Sequence, residues 1–380
     1  MIKLLTVIGA RPQIIKAAAL SRAIRSDYSD RIREVILHTG QHYDDNMSQV
    51  FFNEMGIPPA DYNLNVGSGK HGVQTAAMIK GIEEAIEKEK PDWLVLYGDT
   101  NSTLAGAVAA VKLGVPVAHI EAGLRSFNKS MPEEVNRITA DHCSSLLFTP
   151  TIAGIRNLER EGFTANTPPP YSADKPGVFH CGDVMFDNAL FFSRVAEGKK
   201  EIIKKLDIEG RPFVLATIHR DHNTDKAERL TGIFSAILTL AEEEKTPFII
   251  PLHPRTRKML EGQLPPALYG QITSSSFIKI MEPVSFLDMI MLEKQAALIM
   301  TDSGGVQKES YFYHKPCIIL RPETEWVEIV ENGSALIADA DQDRILRAYN
   351  HFKDNPPSNF PPVYGDGKAA WFILDKISRQ

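Results

Sequence analysis

Carboxylates follow two apolar segments in the first half of the chain. Asp99 comes just after Trp93–Tyr97, and Glu121 comes directly after Val115–Ile120. Short apolar, β-branched segments of this kind predict buried strands. The carboxyl ends of parallel strands face the ligand rather than the solvated rim, and burial there raises carboxyl pKa values toward neutrality. We therefore interpret Asp99 and Glu121 as candidate proton-transfer groups.

Each acid also has a structural explanation, and the strength of that explanation differs. Glu133, a third candidate acid, could complete a capping arrangement after Ser130 at the start of a predicted helix. Asp99 could cap the helix that begins near Asn101. Glu121 stands between an apolar strand and Ala-Gly, where an acid has no evident structural role.

A glycine-rich turn in the second half is typical of a phosphate site. It reads Thr301-Asp302-Ser303-Gly304-Gly305-Val306-Gln307-Lys308-Glu309 and follows an apolar strand. Glycines let the backbone approach a ligand, and free N–H groups at a helix start attract phosphate. Glu309, one turn further on, could accept hydrogen bonds from a ribose. The alternative is an ordinary strand-to-helix turn with a capping serine, and the local pattern leaves both open.

Cations and histidines follow other predicted strands. Arg11 and Lys16 come after the first strand without a dinucleotide-binding glycine pattern, so they suit a pyrophosphate or nucleobase, or are ordinary surface cations. His219, with Arg220 next to it, and His253 could bind phosphate or carry a proton, although a single histidine is more often structural. The histidine spacing does not predict a metal site.

The elements that position these residues alternate between strands and helices. This pattern predicts two doubly wound α/β domains, joined by residues 164–177 and followed by a short terminal helix from about Lys368. The predicted strands are Ile2–Ile8, Glu34–His38, Trp93–Tyr97, Val115–Ile120, Phe213–Thr217, Pro247–Leu252, Ile278–Met281, Ala297–Thr301 and Pro316–Leu320.

Composition excludes several functional classes. The length of 380 residues indicates two domains, and a net charge of −6 argues against broad nucleic-acid binding. The three cysteines, Cys143, Cys181 and Cys317, lack the spacing of a zinc site or a disulfide framework, which indicates a reducing compartment. The apolar N-terminus is too short to span a membrane. We therefore expect a cytoplasmic protein without a membrane or nucleic-acid partner.

Taken in order, these segments resemble the non-hydrolysing UDP-N-acetylglucosamine 2-epimerases. The resemblance extends over nearly the whole chain. Each matching segment alone has low specificity, but the occurrence of all of them in this order is highly specific to the family. The matching segments are Gly9-Ala10-Arg11-Pro12-Gln13 with Ile15-Lys16, Thr39-Gly40-Gln41-His42, Gly98-Asp99-Thr100, His119 to Arg125, Pro132 to Arg137, Gly182-Asp183-Val184, His219-Arg220, His253-Pro254, Asp302 to Gln307 and Tyr364 to Gly367.

The resemblance implies a glycosyltransferase-B-like fold, with two Rossmann-like domains facing a central cleft. The domains implied are residues 1–170 with the acid–base groups, residues 171–365 with the UDP site, and residues 366–380 as a terminal helix packing back on the first domain. It also implies a homodimer that uses no metal or nicotinamide cofactor. The implied reaction inverts C2 of a UDP-2-acetamido sugar by eliminating and re-adding UDP, for bacterial surface polysaccharide synthesis.

The residue roles that the resemblance implies fall into three groups. The catalytic residues are Asp99, Glu121, Glu133 and His219, with Asp99 and Glu121 as the proton-transfer pair. The substrate-binding residues are Arg11, Lys16, Arg137, Arg220, Ser303, Gly304, Gly305 and Glu309. An allosteric sugar site would comprise Gln41, His42, Gln74 and His253, but Val73 stands where self-activated members have arginine, which weakens that prediction.

Some departures from the family pattern leave the substrate open. Trp326 replaces an arginine, and Met289 stands where an aromatic residue usually lies near the uracil. The segment around Thr324–Glu328 is similar to that of epimerases of UDP-2,3-diacetamido-2,3-dideoxyglucuronic acid. His222 replaces a frequent acid, which would ease binding of an additional negative charge. The alternatives are this second sugar or, in another class, a glycosyltransferase of the same fold.

Overall fold

The computed structural model describes residues 1–41, 56–197 and 201–380. Within these ranges the chain divides into two compact units. Unit 1 comprises Met1–Asn188 together with Pro362–Gln380, and unit 2 comprises Ala189–Pro361. Each unit contains one parallel sheet and the helices that connect its strands. The α/β fold class predicted from the sequence is therefore confirmed.

Unit 1 contains a seven-stranded parallel sheet. Its strands are β1 (Ile2–Ile8), β2 (Ile32–His38), β3 (Tyr62–Asn63), β4 (Trp93–Tyr97), β5 (Val117–Ile120), β6 (Leu146–Thr149) and β7 (Gly177–His180). In space they follow the order β3-β2-β1-β4-β5-β6-β7. The order reverses between β1 and β4, and in open α/β sheets ligands bind at this switch point, beyond the carboxyl ends of the strands.

Helices cover this sheet, which is why its central strand, β4, is apolar throughout. Every residue of β4 is buried, as expected for a parallel strand with helices on both faces. The helices are α1 (Arg11–Ala23), α2 (His71–Glu89), α3 (Asn101–Lys112), α4 (Pro132–His142), α5 (Ile152–Arg160) and the first part of α6 (Val184–Ala196). Met78 and Ile82 of α2 pack with Ala105 of α3 in the core beside β4. Fully buried apolar side chains such as these supply most of the stabilisation of the unit.

Unit 2 has a six-stranded parallel sheet of the same topology. Its strands are β8 (Val214–Thr217), β9 (Phe248–Pro251), β10 (Ile278–Met281), β11 (Leu298–Thr301), β12 (Cys317–Ile319) and β13 (Ala335–Ile337). They lie in the order β10-β9-β8-β11-β12-β13, with the switch point between β8 and β11. Their connecting helices are α7 (Glu201–Lys205), α8 (Asp221–Thr224), α9 (Ala227–Glu244), α10 (Pro254–Gln263), α11 (Pro266–Ser274), α12 (Phe286–Gln295), α13 (Gly304–Phe312), α14 (Val327–Glu331) and α15 (Gln342–Asp354).

All nine strands predicted from the sequence occur in the structure, with ends that differ by two residues or fewer. Four further strands, β3, β6, β7 and β13, were not predicted. They contain two to four residues each, and β3 (Tyr-Asn) and β7 (Gly-Val-Phe-His) include glycine or polar residues, so neither shows a clear apolar pattern.

The structural units end at other residues than the predicted domains. β7 pairs with β6 and so belongs to the sheet of unit 1. Residues 164–176, predicted to link the domains, instead connect α5 to β7 within unit 1. The division between the units falls after Asn188, inside α6.

The last helix, α16 (Ala369–Ser378), packs within unit 1. Its first turn is held by the buried side chain of Asp187, which accepts hydrogen bonds from the N–H groups of Ala369 (3.1 Å) and Ala370 (2.8 Å). Trp371 Nε1 donates to Asp27 at 2.8 Å. A carboxylate that caps a helix N-terminus satisfies N–H groups without an intrahelical partner.

In the described ranges, no helix is long and apolar enough to cross a membrane.

Asp187 makes the stability of unit 1 depend on pH. Burial raises its pKa to about 6, against the two amide hydrogen bonds and Arg22. Because this pKa exceeds the unfolded value of about 3.9, the stability contribution of Asp187 is present at low pH and is lost as the pH rises through 6. We expect the unfolding free energy of the wild type, relative to Asp187→Asn, to fall by roughly 1 kcal/mol between pH 5 and pH 7.

Urea unfolding of both proteins at the two pH values measures this difference. Asp30→Asn is the matched control, because the Asp30 side chain is 77% exposed. A difference between wild type and Asp187→Asn that is the same at pH 5 and pH 7 would contradict the assignment.

Candidate active site

The turn from β1 to α1 is locked to the end of β4 by a buried glutamine. Gln13 Oε1 accepts hydrogen bonds from the N–H groups of Gly9 (2.9 Å) and Ala10 (3.2 Å). Its Nε2 donates to Tyr97 O at 2.9 Å and to Thr103 Oγ1 at 3.0 Å. Gln13 was not selected from the sequence, although a glutamine at the third position of a helix is a known capping signal. It fixes the two strands that flank the switch point.

An ion pair joins α1 to the end of β5. Lys16 Nζ lies 2.6 Å from Glu121 Oε1, and the side chains are only 11% and 9% exposed. Gly98 lies beside the pair with φ +62°, and a Cβ there would stand 3.0 Å from Lys16 Nζ. Glu121 itself has φ +71°, a conformation that non-glycine residues adopt at a cost and that concentrates at functional sites. The structure thus brings Lys16 and Glu121 together as a pair that the sequence did not predict.

Asp99 lies next to this pair, at the end of β4, and is bound by Arg137 of α4. Burial raises the pKa of Asp99, as does the charge of Glu121, while Arg137 and Lys16 act in the opposite direction. The direction agrees with the sequence-based expectation for a carboxyl at a strand end. The capping alternative is wrong, because the side chain of Thr100 caps α3 by accepting from Thr103 N at 3.4 Å.

The two acids at the start of α4 differ in their surroundings. Glu133, selected from the sequence, is exposed, whereas its neighbour Glu134 is buried. Glu134 accepts hydrogen bonds from the N–H groups of Ser126 and Phe127, both at 2.9 Å, and from Arg137 Nη1 at 3.0 Å. Glu134 therefore positions Arg137 against Asp99, a role that the sequence pattern did not reveal.

Fully buried polar side chains support the loop that carries Gly98. His119 Nε2 lies 2.7 Å from Gly98 O, and its Nδ1 lies 2.7 Å from Asp141 Oδ1. Asp141 also bonds Arg125 Nη1 at 2.8 Å. Burial opposes the charge of Asp141, but the hydrogen bond and charge of His119, followed by those of Arg125, hold the pKa of Asp141 below its usual value. Arg125 in turn bonds both carboxylate oxygens of Glu161 at 2.7 Å.

Removing Asp141 leaves the buried His119 and Arg125 without their shared acceptor. We expect Asp141→Ala to lower the unfolding free energy of unit 1 by about 3 kcal/mol or more, because the charged partners of Asp141 would stay buried without a compensating carboxylate. Glu161→Ala is the matched control, with an expected loss of about 1 kcal/mol, because that carboxylate is partly exposed. Urea unfolding measures both values. Equal losses of unfolding free energy in the two variants would show that the buried contacts of Asp141 contribute no more stability than the partly exposed Glu161 does.

In unit 2 a buried carboxylate organises the segment after β8. Asp302, fully buried, accepts hydrogen bonds from the N–H groups of His219 and Arg220, each at 3.1 Å, and from Asn223 Nδ2 at 3.0 Å. His219 Nδ1 lies 3.0 Å from the same carboxylate. Burial opposes the charge, but the hydrogen bonds from His219 and Asn223 hold the pKa of Asp302 below its usual value. An Nδ1–H donated to Asp302 leaves Nε2 of the half-exposed His219 available to a ligand.

The glycine-rich turn follows Asp302 and begins α13. Ser303 caps this helix, accepting from Val306 N at 3.5 Å, which fits the structural alternative for that serine. Gly304 contacts the carboxylate of Glu325, and a Cβ there would collide with it. Gly305 is exposed, and a Cβ built there would meet nothing closer than Ser303 Oγ at 3.8 Å. Of the two glycines, Gly305 is the one that leaves the helix N-terminus open to an anion.

The remaining predicted site residues lie in several places. Arg11 and Arg220 are exposed, and Glu309 is half-buried on α13. Gln41 Oε1 accepts from Ser102 N at 3.2 Å, and Gln74 Oε1 accepts from Asn101 Nδ2 at 2.8 Å. Both glutamines therefore contact the first turn of α3, directly after Asp99.

Of the other two predicted allosteric residues, one lies in unit 2 and one is not described. His253 caps α10 in unit 2, and His42 lies outside the described residues. Across residues 1–41, 56–197 and 201–380, no group of three or more His, Cys, Asp or Glu side chains could hold a metal ion.

Comparisons with known proteins identify the family. The family model described as UDP-N-acetylglucosamine 2-epimerase matches residues 25–378. A Methanococcus maripaludis protein named UDP-N-acetylglucosamine 2-epimerase homolog is 45% identical over 99% of both chains. The UDP-2,3-diacetamido-2,3-dideoxy-D-glucuronate 2-epimerase of Pseudomonas aeruginosa is 43% identical, also over 99% of both chains.

A solved structure agrees with these sequence matches. The crystal structure of Methanocaldococcus jannaschii UDP-GlcNAc 2-epimerase in complex with UDP-GlcNAc and UDP has a TM-score of 0.85 and 40% identity to this chain, and the match covers 100% of both chains. This similarity agrees with the glycosyltransferase-B-like fold class that the resemblance implied. The chain belongs to the UDP-N-acetylglucosamine 2-epimerase family and is an isomerase.

Proposed function

We propose that this epimerase interconverts the gluco and manno forms of a UDP-2-acetamido sugar, of the UDP-N-acetylglucosamine type, through elimination and re-addition of UDP. The observation that carries the proposal is the cluster of Asp99 and Glu121 with Lys16 and Arg137 at the carboxyl ends of β4 and β5. We refer to these four residues as the proton-transfer cluster. Two carboxyl groups in different electrostatic surroundings match a reaction that removes one proton and returns another.

The chemistry requires such a pair. The C2 proton is only weakly acidic, so a positioned base must remove it while the C1–O bond to UDP breaks, leaving a 2-acetamidoglucal. Inversion then needs a proton delivered to the opposite face of C2 as the diphosphate oxygen re-adds to C1. A single carboxylate cannot face both sides of the ring, whereas Asp99 and Glu121 come from neighbouring strands.

The charges around Asp99 and Glu121 suggest which of them acts as the base and which as the acid. Lys16, 2.6 Å from Glu121, favours the ionised form of that carboxyl, as a base requires. Burial raises the pKa of Asp99, which favours a carboxyl that carries a proton. In one direction of epimerisation Glu121 removes the proton from C2, and Asp99 delivers a proton to the opposite face of C2. In the reverse direction the two acids exchange these roles. We therefore propose Lys16, predicted as a UDP ligand, as a member of the proton-transfer cluster instead.

Unit 2 carries the groups suited to the nucleotide. The N-terminus of α13 at Ser303–Gly305 and His219 Nε2 would hold the diphosphate, because exposed N–H groups and an imidazole stabilise departing negative charge. Arg220 and Arg11 would add positive charge, and Glu309 would accept the ribose hydroxyls. Glu133 is exposed in the first turn of α4, so it would reach the substrate only from the solvent-exposed side of that helix.

We also propose the remaining properties that the resemblance implies. These are a homodimer and a cytoplasmic location, the latter in keeping with three free cysteines. An allosteric effector at Gln41 and Gln74 would act through Asn101 and Ser102, which lie next to Asp99 on the chain.

Neutralising either acid tests the proton-transfer assignment. We expect Asp99→Asn and Glu121→Gln each to lower kcat for epimerisation of UDP-N-acetylglucosamine by about 10²–10⁴-fold, because each removes one proton carrier. UDP affinity, measured by calorimetry, should change little. Glu87→Gln, on an exposed position of α2, should retain wild-type turnover. Variants that keep turnover within a few-fold of wild type would show that the two acids do not carry the protons.

A second sugar is favoured by the surroundings of His222. Its pKa is lowered by partial burial and then by Arg229, Lys226 and Arg321, against the opposing charge of Asp339. Arg229 pairs with Asp339 and Arg321 pairs with Glu325, so the positive charge that this region offers an anion is that of Lys226. This supports UDP-2,3-diacetamido-2,3-dideoxyglucuronic acid, whose C6 carboxylate adds a charge, as an alternative substrate.

Placing an acid at this position should penalise the charged sugar selectively. We expect His222→Glu to lower the ratio of kcat/KM for the diacetamido-uronate over UDP-N-acetylglucosamine by about tenfold, which corresponds to about 1.4 kcal/mol of repulsion. His222→Gln, which adds no charge, serves as the control. Steady-state kinetics on both sugars measure the ratio, and a ratio unchanged by the glutamate would remove His222 from sugar selection.

A glycosyltransferase of the same fold is the rival from another class. It would require an acceptor and would not exchange the C2 proton of its donor with solvent. The family membership and the proton-transfer cluster both favour the epimerase.

A further inference from the structure

A buried acid of unit 2 has no role in the chemistry described above. Glu293 lies on α12 and is only 1% exposed. Among the described residues, no hydrogen-bond donor reaches either of its carboxylate oxygens. An ionised carboxylate in such a position would lose its hydration without compensation, which is one of the most costly arrangements in a protein interior.

The group that Glu293 meets is another acid. The carboxyl of Glu309, on α13, lies within hydrogen-bonding reach of Glu293. Tyr313, at the end of α13, is close to both acids, and its hydroxyl donates to Ala189 O at 3.5 Å. Two carboxyl groups in contact can form a hydrogen bond only if one of them is protonated.

The proton belongs on Glu293. Burial raises the pKa of Glu293 well above its usual value, and the negative charge of Glu309 raises it further. Glu309 is half-buried, so hydration stabilises its charge more than that of Glu293. The pair then holds one proton and one negative charge, and Glu293 becomes a hydrogen-bond donor.

We propose that Glu293 is a positioning residue that, as a carboxylic acid, donates a hydrogen bond to Glu309 and orients the Glu309 carboxylate toward the ribose hydroxyls of the nucleotide. This inference rests on the proposed function, in which Glu309 reads the ribose. A carboxylate accepts up to about four hydrogen bonds, so the same carboxylate can accept from both Glu293 and a ribose hydroxyl. Fixing the side chain in advance also lowers the entropy that binding would otherwise cost.

Binding of UDP and of its deoxy analogues tests the proposal. Calorimetry on the full-length protein compares UDP with 2′-deoxy-UDP and 3′-deoxy-UDP. We expect wild type to prefer UDP over at least one analogue by about tenfold or more, the usual worth of a hydrogen bond to a charged group. Glu293→Leu should reduce that preference to about threefold or less, because Glu309 loses its donor.

The conservative variant separates positioning from packing. Glu293→Gln keeps a donor, its amide N–H, and should retain most of the wild-type preference. Glu243→Leu, an exposed acid on α9, is the matched control and should leave the preference unchanged. Affinity for inorganic pyrophosphate should be equal in all variants, because the diphosphate contacts remain.

Several results would overturn the inference. One is a Glu293→Leu protein with the wild-type preference, and another is a Glu293→Gln protein that loses as much preference as the leucine variant. Failure of wild type to bind UDP at all would instead contradict the proposed function.

Infrared spectroscopy gives a readout that needs no leucine variant. Wild type at neutral pH should show the carbonyl band of a protonated carboxyl group that Glu293→Gln lacks. The absence of that band would also overturn the inference.

Discussion

The charged cluster at the ends of β4 and β5 constrains much of unit 1. Lys16 and Glu121 form an ion pair in which both side chains are nearly buried, and Asp99 meets Arg137 alongside it. Burying charged groups together is unfavourable unless each is paired and held in place. The left-handed conformations of Gly98 and Glu121 bring the two strand ends into this arrangement, and the surrounding chain has to hold them there.

The supporting contacts are all buried polar groups. Gln13 ties the β1–α1 turn to Tyr97, and His119 holds the carbonyl of Gly98 while Asp141 orients the imidazole. Unit 2 uses the same device, with Asp302 gathering the backbone N–H groups after β8 and the imidazole of His219. In both units a buried side chain fixes the loop that follows a strand at the switch point. Rigid loops of this kind keep catalytic groups in a productive geometry without reorganisation during the reaction.

Much of this arrangement could be predicted from the sequence, and the rest could not for physical reasons. Long apolar strands such as Ile2–Ile8 have a clear pattern, and the acids after them follow from the rule that ligands bind at strand ends. β3 has only two residues and β7 reads Gly-Val-Phe-His, so neither carries a clear apolar pattern. The predicted link at residues 164–177 was wrong for that reason, since β7 begins at Gly177 and belongs to the first sheet.

Contacts between residues that are distant in the sequence were the other feature that could not be predicted. Glu134 and Glu293 look like ordinary helical acids in the sequence, and only tertiary packing shows that they are buried against Arg137 and Glu309. Lys16 was selected from the sequence as a UDP ligand, and its partner Glu121 lies 105 positions away on the chain. No local signal predicts such a contact.

In the proposed reaction Asp99 and Glu121 exchange the C2 proton of a UDP-sugar with solvent. The most direct measurement is proton NMR of UDP-N-acetylglucosamine incubated with the wild-type protein in deuterium oxide, without an acceptor. We expect the C2 proton signal to disappear from both epimers as deuterium enters, at a rate comparable with epimerisation. Epimerisation that leaves the C2 proton in place, or no exchange with this sugar or its diacetamido-uronate counterpart, would contradict the proposed reaction.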